Sequence, residues 1–140
     1  MKKGQTILKK PGDPRPPVRD LQKATVFDYH PVLEMSDDLS FMVYCYCQSL
    51  PHEFKDSIGE DLKKNLAELT TLIHRTKTTT EELALIEETV GCLAVIGLRI
   101  RLLYGFKHLS AEQFTLLVGH MDEISRQLQA WKKDIRKRRA

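Results

Sequence analysis

Residues 82–140, ELALIEETVGCLAVIGLRIRLLYGFKHLSAEQFTLLVGHMDEISRQLQAWKKDIRKRRA, decide the fold. In the second half of this stretch Phe114, Leu117, Met121, Ile124, Leu128, Trp131 and Ile135 recur at alternating steps of three and four. That spacing draws one apolar stripe along an α-helix. The first half repeats the pattern with Leu83, Ile86, Val90, Leu93, Gly97, Ile100 and Tyr104. Ser110 and Gln113 have the spacing of a capping box, in which each side chain bonds the other residue's backbone N–H, so a helix opens there. At about 1.5 Å per residue both helices are expected to be about 40 Å long. The short KHLS turn between them favours antiparallel packing.

The upstream half supplies two more helices. SDDLSFMVYCYCQSL (36–50) carries Leu39, Val43, Tyr46 and Leu50 at helical spacing behind Ser36 or Asp37 as N-cap, and Pro51 ends or kinks it. A second helix is expected from about Phe54 to His74, with Ile58, Leu62, Leu66, Leu69 and Ile73 on one face. Thr79 with Glu82 makes another capping box, opening a third helix that runs to about Lys107. The reading is all-α, an up-down-up-down four-helix bundle over residues 36–140. Residues 1–35 form a separate basic arm with Pro11, Pro14, Pro16 and Pro17, which favour extended backbone. Its last part, ATVFDYHPVLEM (24–35), is apolar enough to dock on the bundle as an extended segment.

A chain of 140 residues has room for one domain with a real core. Hydrophobic residues at 41% and charged residues at 29% are ordinary for a globular protein. No run approaches the roughly 18 to 20 apolar residues of a membrane span, and the first residues lack the apolar core of a secretory signal. Three cysteines, Cys45, Cys47 and Cys92, are sparse and odd in number, which fits reduced core residues in the cytoplasm.

The formal charge of +3 conceals a segregation. Residues 1–25 hold seven Lys/Arg against Asp13 and Asp20, and residues 132–140 hold six against Asp134, while the stretch between is acidic. The closing set is Lys132, Lys133, Arg136, Lys137, Arg138 and Arg139. Two or three cations satisfy the dipole at a helix C-terminus; six exceed that need. The excess marks a grip on an anionic polymer, and Lys9, Lys10, Arg15 and Arg19 of the arm are its natural complement. Trp131 is in phase with the apolar stripe and is read as core.

Catalytic patterns are not found. Di-metal bundles need Glu-x-x-His pairs, and none of His30, His52, His74, His108 or His120 has an acid three residues before it. Cys45 and Cys47 lie about 200° apart around a helix and cannot share one ion. Glu87 and Glu88 fall off the stripe, and Glu81 and Glu82 suit a first helical turn. There is no phosphate loop and no nucleophile elbow, so neither enzyme activity nor a cofactor or metal is expected. VGCLAVIGL (90–98) has no charge on any face, and a helix apolar all round is buried all round. Cys92, Val95 and Ile96 are therefore expected at a contact between subunits. The alternative is an inner helix wrapped by its own bundle.

Two segments, LSFMVYCYCQSLPHEFKDSIGEDLKKNLAELTTLIHRT and LRIRLLYGFKHLSAEQFTLLVGHMDEISRQLQAWKK, resemble a known family. It comprises the accessory variability determinant (Avd) proteins of diversity-generating retroelements and the proteins encoded in ribosomal-RNA intervening sequences. The likeness spans about residues 36–135. It rests on the Leu-Pro end of helix one, the Ile58-Gly59 step, the LRIRLL run, the short turn into Ser110 and the late Trp131. The resemblance implies a homopentameric barrel of bundles and a non-catalytic role. That role is binding a reverse transcriptase and its template RNA, or the hybrid of that RNA with complementary DNA, during mutagenic synthesis. It further implies partner or nucleic-acid contacts at Arg101 and its neighbour Arg99, and Lys107 closes the basic set on that helix. The family's members are usually basic across the bundle; here the body is acidic, which moves the expected contacts to the two ends. Two other readings stay open: an intervening-sequence-type bundle that assembles without a reverse transcriptase, and a helical adaptor for a protein partner. A reverse-transcriptase gene and a variable-repeat pair beside this gene would separate the first from the others.

Overall fold

The computed structural model describes residues 31–77 and 80–139. Four long helices make up most of the described residues: α1 (Pro31–Cys47), α2 (Glu60–Lys77), α3 (Glu82–Gly105) and α4 (Ala111–Arg139). A single turn, His52–Phe54, and a π-helical stretch, Lys55–Gly59, lead into α2 without a break. The ring closes because α1 and α3 each pack against both α2 and α4. Contacts between neighbours fix their opposed directions. Early in α1, Ser36 Oγ lies 2.8 Å from Thr70 Oγ1 late in α2. Arg99, late in α3, reaches Asp61, early in α2, and Lys132 of α4 reaches Glu87 of α3.

The start of α1 differs from the sequence expectation. Pro31–Met35 are helical rather than extended, and Ser36 is buried within the helix instead of capping it. Proline suits a first helical turn, where its fixed φ is already correct and its missing N–H would have no partner. Val32 is thereby brought fully into the core.

The stripe of α4 is inward along its whole length. Leu117, Ile124, Leu128 and Ile135 are buried, and Phe114, Met121 and Trp131 pack partly buried against the core. Leu62, Leu66, Leu69 and Ile73 supply the facing stripe of α2. Gly59, in the π turn, sits under the end of α1, where a Cβ would stand 3.1 Å from the Phe54 carbonyl oxygen. A side chain there meets backbone, so the Ile58-Gly59 step has a packing reason.

The turn between α3 and α4 is ordered from both sides. Gln113 N–H donates to Ser110 Oγ at 3.0 Å and Ser110 N–H donates to Gln113 Oε1 at 2.9 Å, the reciprocal capping box. On the other side His108 N–H reaches the Leu103 carbonyl and Lys107 N–H that of Tyr104, each at 2.9 Å. This is a Schellman C-cap, whose left-handed position is most often glycine. Lys107 occupies it at φ 66°. Replacing Lys107 with Gly is expected to raise stability by about 1 kcal/mol, since only the β-carbon suffers in that conformation. A urea titration checks it, and a midpoint no higher than wild type would mean that the lysine side chain offsets the strain.

Helix α3 has two seams, not one. The expected stripe faces α4: a Cβ on Gly97 would lie 3.7 Å from Met121 Sδ, and the Tyr104 ring stacks on Phe114 at 4.2 Å. A second set, Leu85, Thr89, Cys92, Ile96 and Leu103, is also buried. There Cys92 Sγ donates to the Asn65 carbonyl of α2 at 3.3 Å. Most of the excess apolar character of residues 90–98 is therefore used inside the chain. Of the three residues assigned to a subunit contact, Cys92 and Ile96 belong to this internal seam, and only Val95 remains accessible.

Candidate nucleic-acid interface

Antiparallel packing brings four chain segments to one end of the bundle: the start of α1, the end of α2, the start of α3 and the end of α4. The arm joins at Pro31, so its connection point is at this end too. The last turn of α2 adds the exposed His74 and Arg75, a contribution the sequence reading passed over although HRTK precedes the turn, while the Lys77 ammonium is buried. The basic end of α4 and the last turn of α2 thus meet at one pole. The opposite pole holds the α1–α2 connection and the α3–α4 turn.

The six closing cations divide into two groups. Lys132 Nζ lies 2.6 Å from Glu87 Oε2, and Arg138 Nη2 lies 3.3 Å from Glu82 Oε2. Arg139 Nη2 donates to the Thr80 carbonyl at 2.8 Å. These three tie the end of α4 to the beginning of α3. Glu82 thus meets Arg138, and Glu81 rather than Thr79 precedes the helix, without a side-chain cap; Thr79 itself lies outside the described residues. The Lys132 ammonium, by hydrogen bond and then by charge, holds the Glu87 carboxyl below its ordinary pKa. Lys133, Arg136 and Lys137 form the second group, all exposed. Lys133 and Lys137 are one turn apart on one face with Arg136 beside them, a spacing that suits consecutive phosphates. Trp131 packs partly buried against the core.

The other candidates do not join this pole. Arg99 is committed to α2, donating from Nε to Asn65 Oδ1 at 2.7 Å and from Nη1 to Asp61 Oδ2 at 3.4 Å. Arg101 is exposed on the outer part of α3, and Lys107 is in the opposite turn. From Glu82 to Arg101 the helix rises roughly 28 Å, so one short strand cannot touch both groups at once. Lys9, Lys10, Arg15 and Arg19 lie outside the described residues.

Among the described residues no three His, Cys, Asp or Glu side chains come together as a metal site would require. An apolar pocket near the loop pole is lined by residues that include Val43, Tyr46, Cys47, Leu62, Ile100 and Leu117. Burial raises the pKa of both its titratable groups, the Tyr46 hydroxyl and the Cys47 thiol. Cys92 is pushed up to about 12 by burial and by the Glu68 carboxylate, which leaves an inert thiol at neutral pH. Cys45 departs from the expected core role and is exposed. No described helix is long and apolar enough to cross a membrane.

No protein-family model and no curated protein matches this chain. The likeness to retroelement accessory proteins therefore stands on the motifs quoted above alone.

Proposed function

We propose that this chain is a non-catalytic accessory protein of a diversity-generating retroelement, holding template RNA and the reverse transcriptase together during synthesis of mutated complementary DNA. The observation that carries the RNA part is the exposed set Lys133, Arg136 and Lys137 at the end of α4, on a body whose sequence between the two basic termini is acidic. Phosphate attraction is independent of sequence and sums over nearby cations. The reverse transcriptase enters through the family resemblance, as does the five-copy barrel.

Salt dependence tests the RNA part. Each phosphate contact on a single strand contributes about −0.7 to the slope of log affinity against log salt. Replacing Lys133, Arg136 and Lys137 together with Ala removes up to three contacts, so the slope is expected to flatten by about 2 per engaged tail. Lys132, Arg138 and Arg139 are left in place because they fasten α4 to α3. The measurement is fluorescence anisotropy of a labelled single-stranded RNA from low to physiological salt. Equal slopes and affinities for the variant and the wild type would reduce the tail to a solvated helix end. Co-purification with the reverse transcriptase of a neighbouring gene tests the other part. Failure to co-purify, with RNA binding intact, would favour the intervening-sequence-type alternative.

A further inference from the structure

The ring of Tyr104, in the last turn of α3, lies flat on that of Phe114 in the first turn of α4. Their centroids are 4.2 Å apart and their planes 8° from parallel. Filling the seam between the two helices accounts for Phe114, which packs partly buried against the core. It does not account for Tyr104, which is 39% exposed. Tyr104 is thus the open end of a two-ring stack. The backbone just past it is fixed, because the Ser110–Gln113 box and the C-cap through Lys107 set the start of α4 against the end of α3. Phe106, the other exposed aromatic of this pole, is engaged differently, its ring tilted at 55° on that of Phe54.

The charge around this stack is positive. Arg101 lies one turn back on the same side of α3, Lys107 follows in the turn, and both are exposed. Among the described residues neither side chain enters an ion pair, whereas Arg99 is held by Asp61. Glu112, the nearest acid along the chain, lies towards α1 instead, where it follows burial as a cause of the raised Tyr46 pKa. Lys107 also stands at φ 66°, a conformation that strains every residue with a β-carbon, so an ammonium is kept where glycine would be the relaxed choice. An open aromatic face between two unpaired cations matches what a single strand presents at each nucleotide, a flat base between two phosphates.

We propose that Tyr104 is a stacking platform for one base of a single-stranded RNA, with Arg101 and Lys107 on the adjoining phosphates. The proposal rests on the reading of this chain as an RNA-binding protein, and it adds a second contact at the pole opposite the tail of α4. The two contacts are about 40 Å apart along α4, so a strand held at both runs the length of the bundle. They also differ in kind. Phosphate contacts release counterions and weaken as salt rises. Stacking needs the base, works on any base, and releases no counterions, so its share of the affinity persists in salt.

That difference gives the test. The full chain is titrated with a labelled oligoadenylate and with an abasic strand of the same length and charge, over a series of salt concentrations. The wild type is expected to bind the oligoadenylate more tightly, by about 5- to 100-fold, at every salt concentration. Tyr104→Ala is expected to remove that preference while leaving the salt slope as it is, and Tyr104→Leu, which keeps apolar bulk over Phe114, is expected to do the same. Tyr104→Phe is expected to retain it. Lys107→Gly is expected to flatten the slope by about 0.7 per engaged copy, the share of one phosphate, in a chain that is no less stable. Circular dichroism melts establish that each variant is folded. Equal binding of the two strands by the wild type, or a preference that survives in Tyr104→Leu, would overturn the platform and leave the tail contact standing. Binding of neither strand would overturn both readings. Loss of reverse-transcriptase co-purification in Tyr104→Leu, with RNA affinity unchanged, would make the ring a protein contact and overturn the proposal as well.

Discussion

Ile96→Glu is expected to abolish folding, whereas Val95→Glu, one position along α3, is expected to leave the folded chain intact. Ile96 is fully buried and Val95 is 37% exposed. A carboxylate at position 96 is placed in the core, so it either stays ionised at severe cost or folds only when protonated. Breaking the core in this way takes several kcal/mol from a net stability of roughly 5–15 kcal/mol, which is enough to unfold a small domain. At position 95 the new carboxylate reaches water. Thermal melts followed by circular dichroism compare the two directly. A native-like melt for Ile96→Glu would refute the register given to α3, and an unfolded Val95→Glu would mean that its face is covered within the chain.

The second large effect belongs to α4. Leu128 is fully buried and Gln129 is exposed. Leu128→Ala removes apolar burial and leaves a void, so it is expected to cost about 2 to 5 kcal/mol, the upper figure applying where neighbours cannot collapse. Gln129→Ala should change stability by only a few tenths of a kcal/mol, because both residues are good helix formers. Urea titrations at equal protein concentration measure both. Comparable losses at the two positions would place the helix in another rotation.

What the sequence revealed here was what is local. The stripe of α4 and the Ser110–Gln113 box depend on residues a few positions apart, and both are present as read. The end of the 24–35 segment was read as extended, yet Pro31–Met35 are helical, and a proline that starts a helix looks like one that prevents it without its surroundings. The second seam of α3 was visible as surplus apolar character, but periodicity does not say whether a neighbour belongs to the same chain or to another. It is Cys92 on Asn65, 27 residues away, that answers this. The division of the cationic tail was hidden for the same reason. Arg138 and Glu82 are separated by 56 residues, and no local pattern pairs them. Arg99 looked like a free basic residue until Asp61 and Asn65 came beside it. Position 107 was unreadable for another cause, since a lysine gives no sign that its backbone is left-handed.

The arrangement of chain ends bears on how the molecule can be held. Arg139 leaves the bundle at the basic pole, so a tether or fluorophore attached after α4 is carried where the exposed cations are. Cys45 lies within the last turn of α1, at the loop pole, and it is exposed while Cys47 and Cys92 are buried. A thiol reagent used on the folded chain therefore marks one atom, about a bundle's length from the basic pole. Anchored there, the molecule stands with its cationic end facing solution; anchored through the end of α4, it stands inverted.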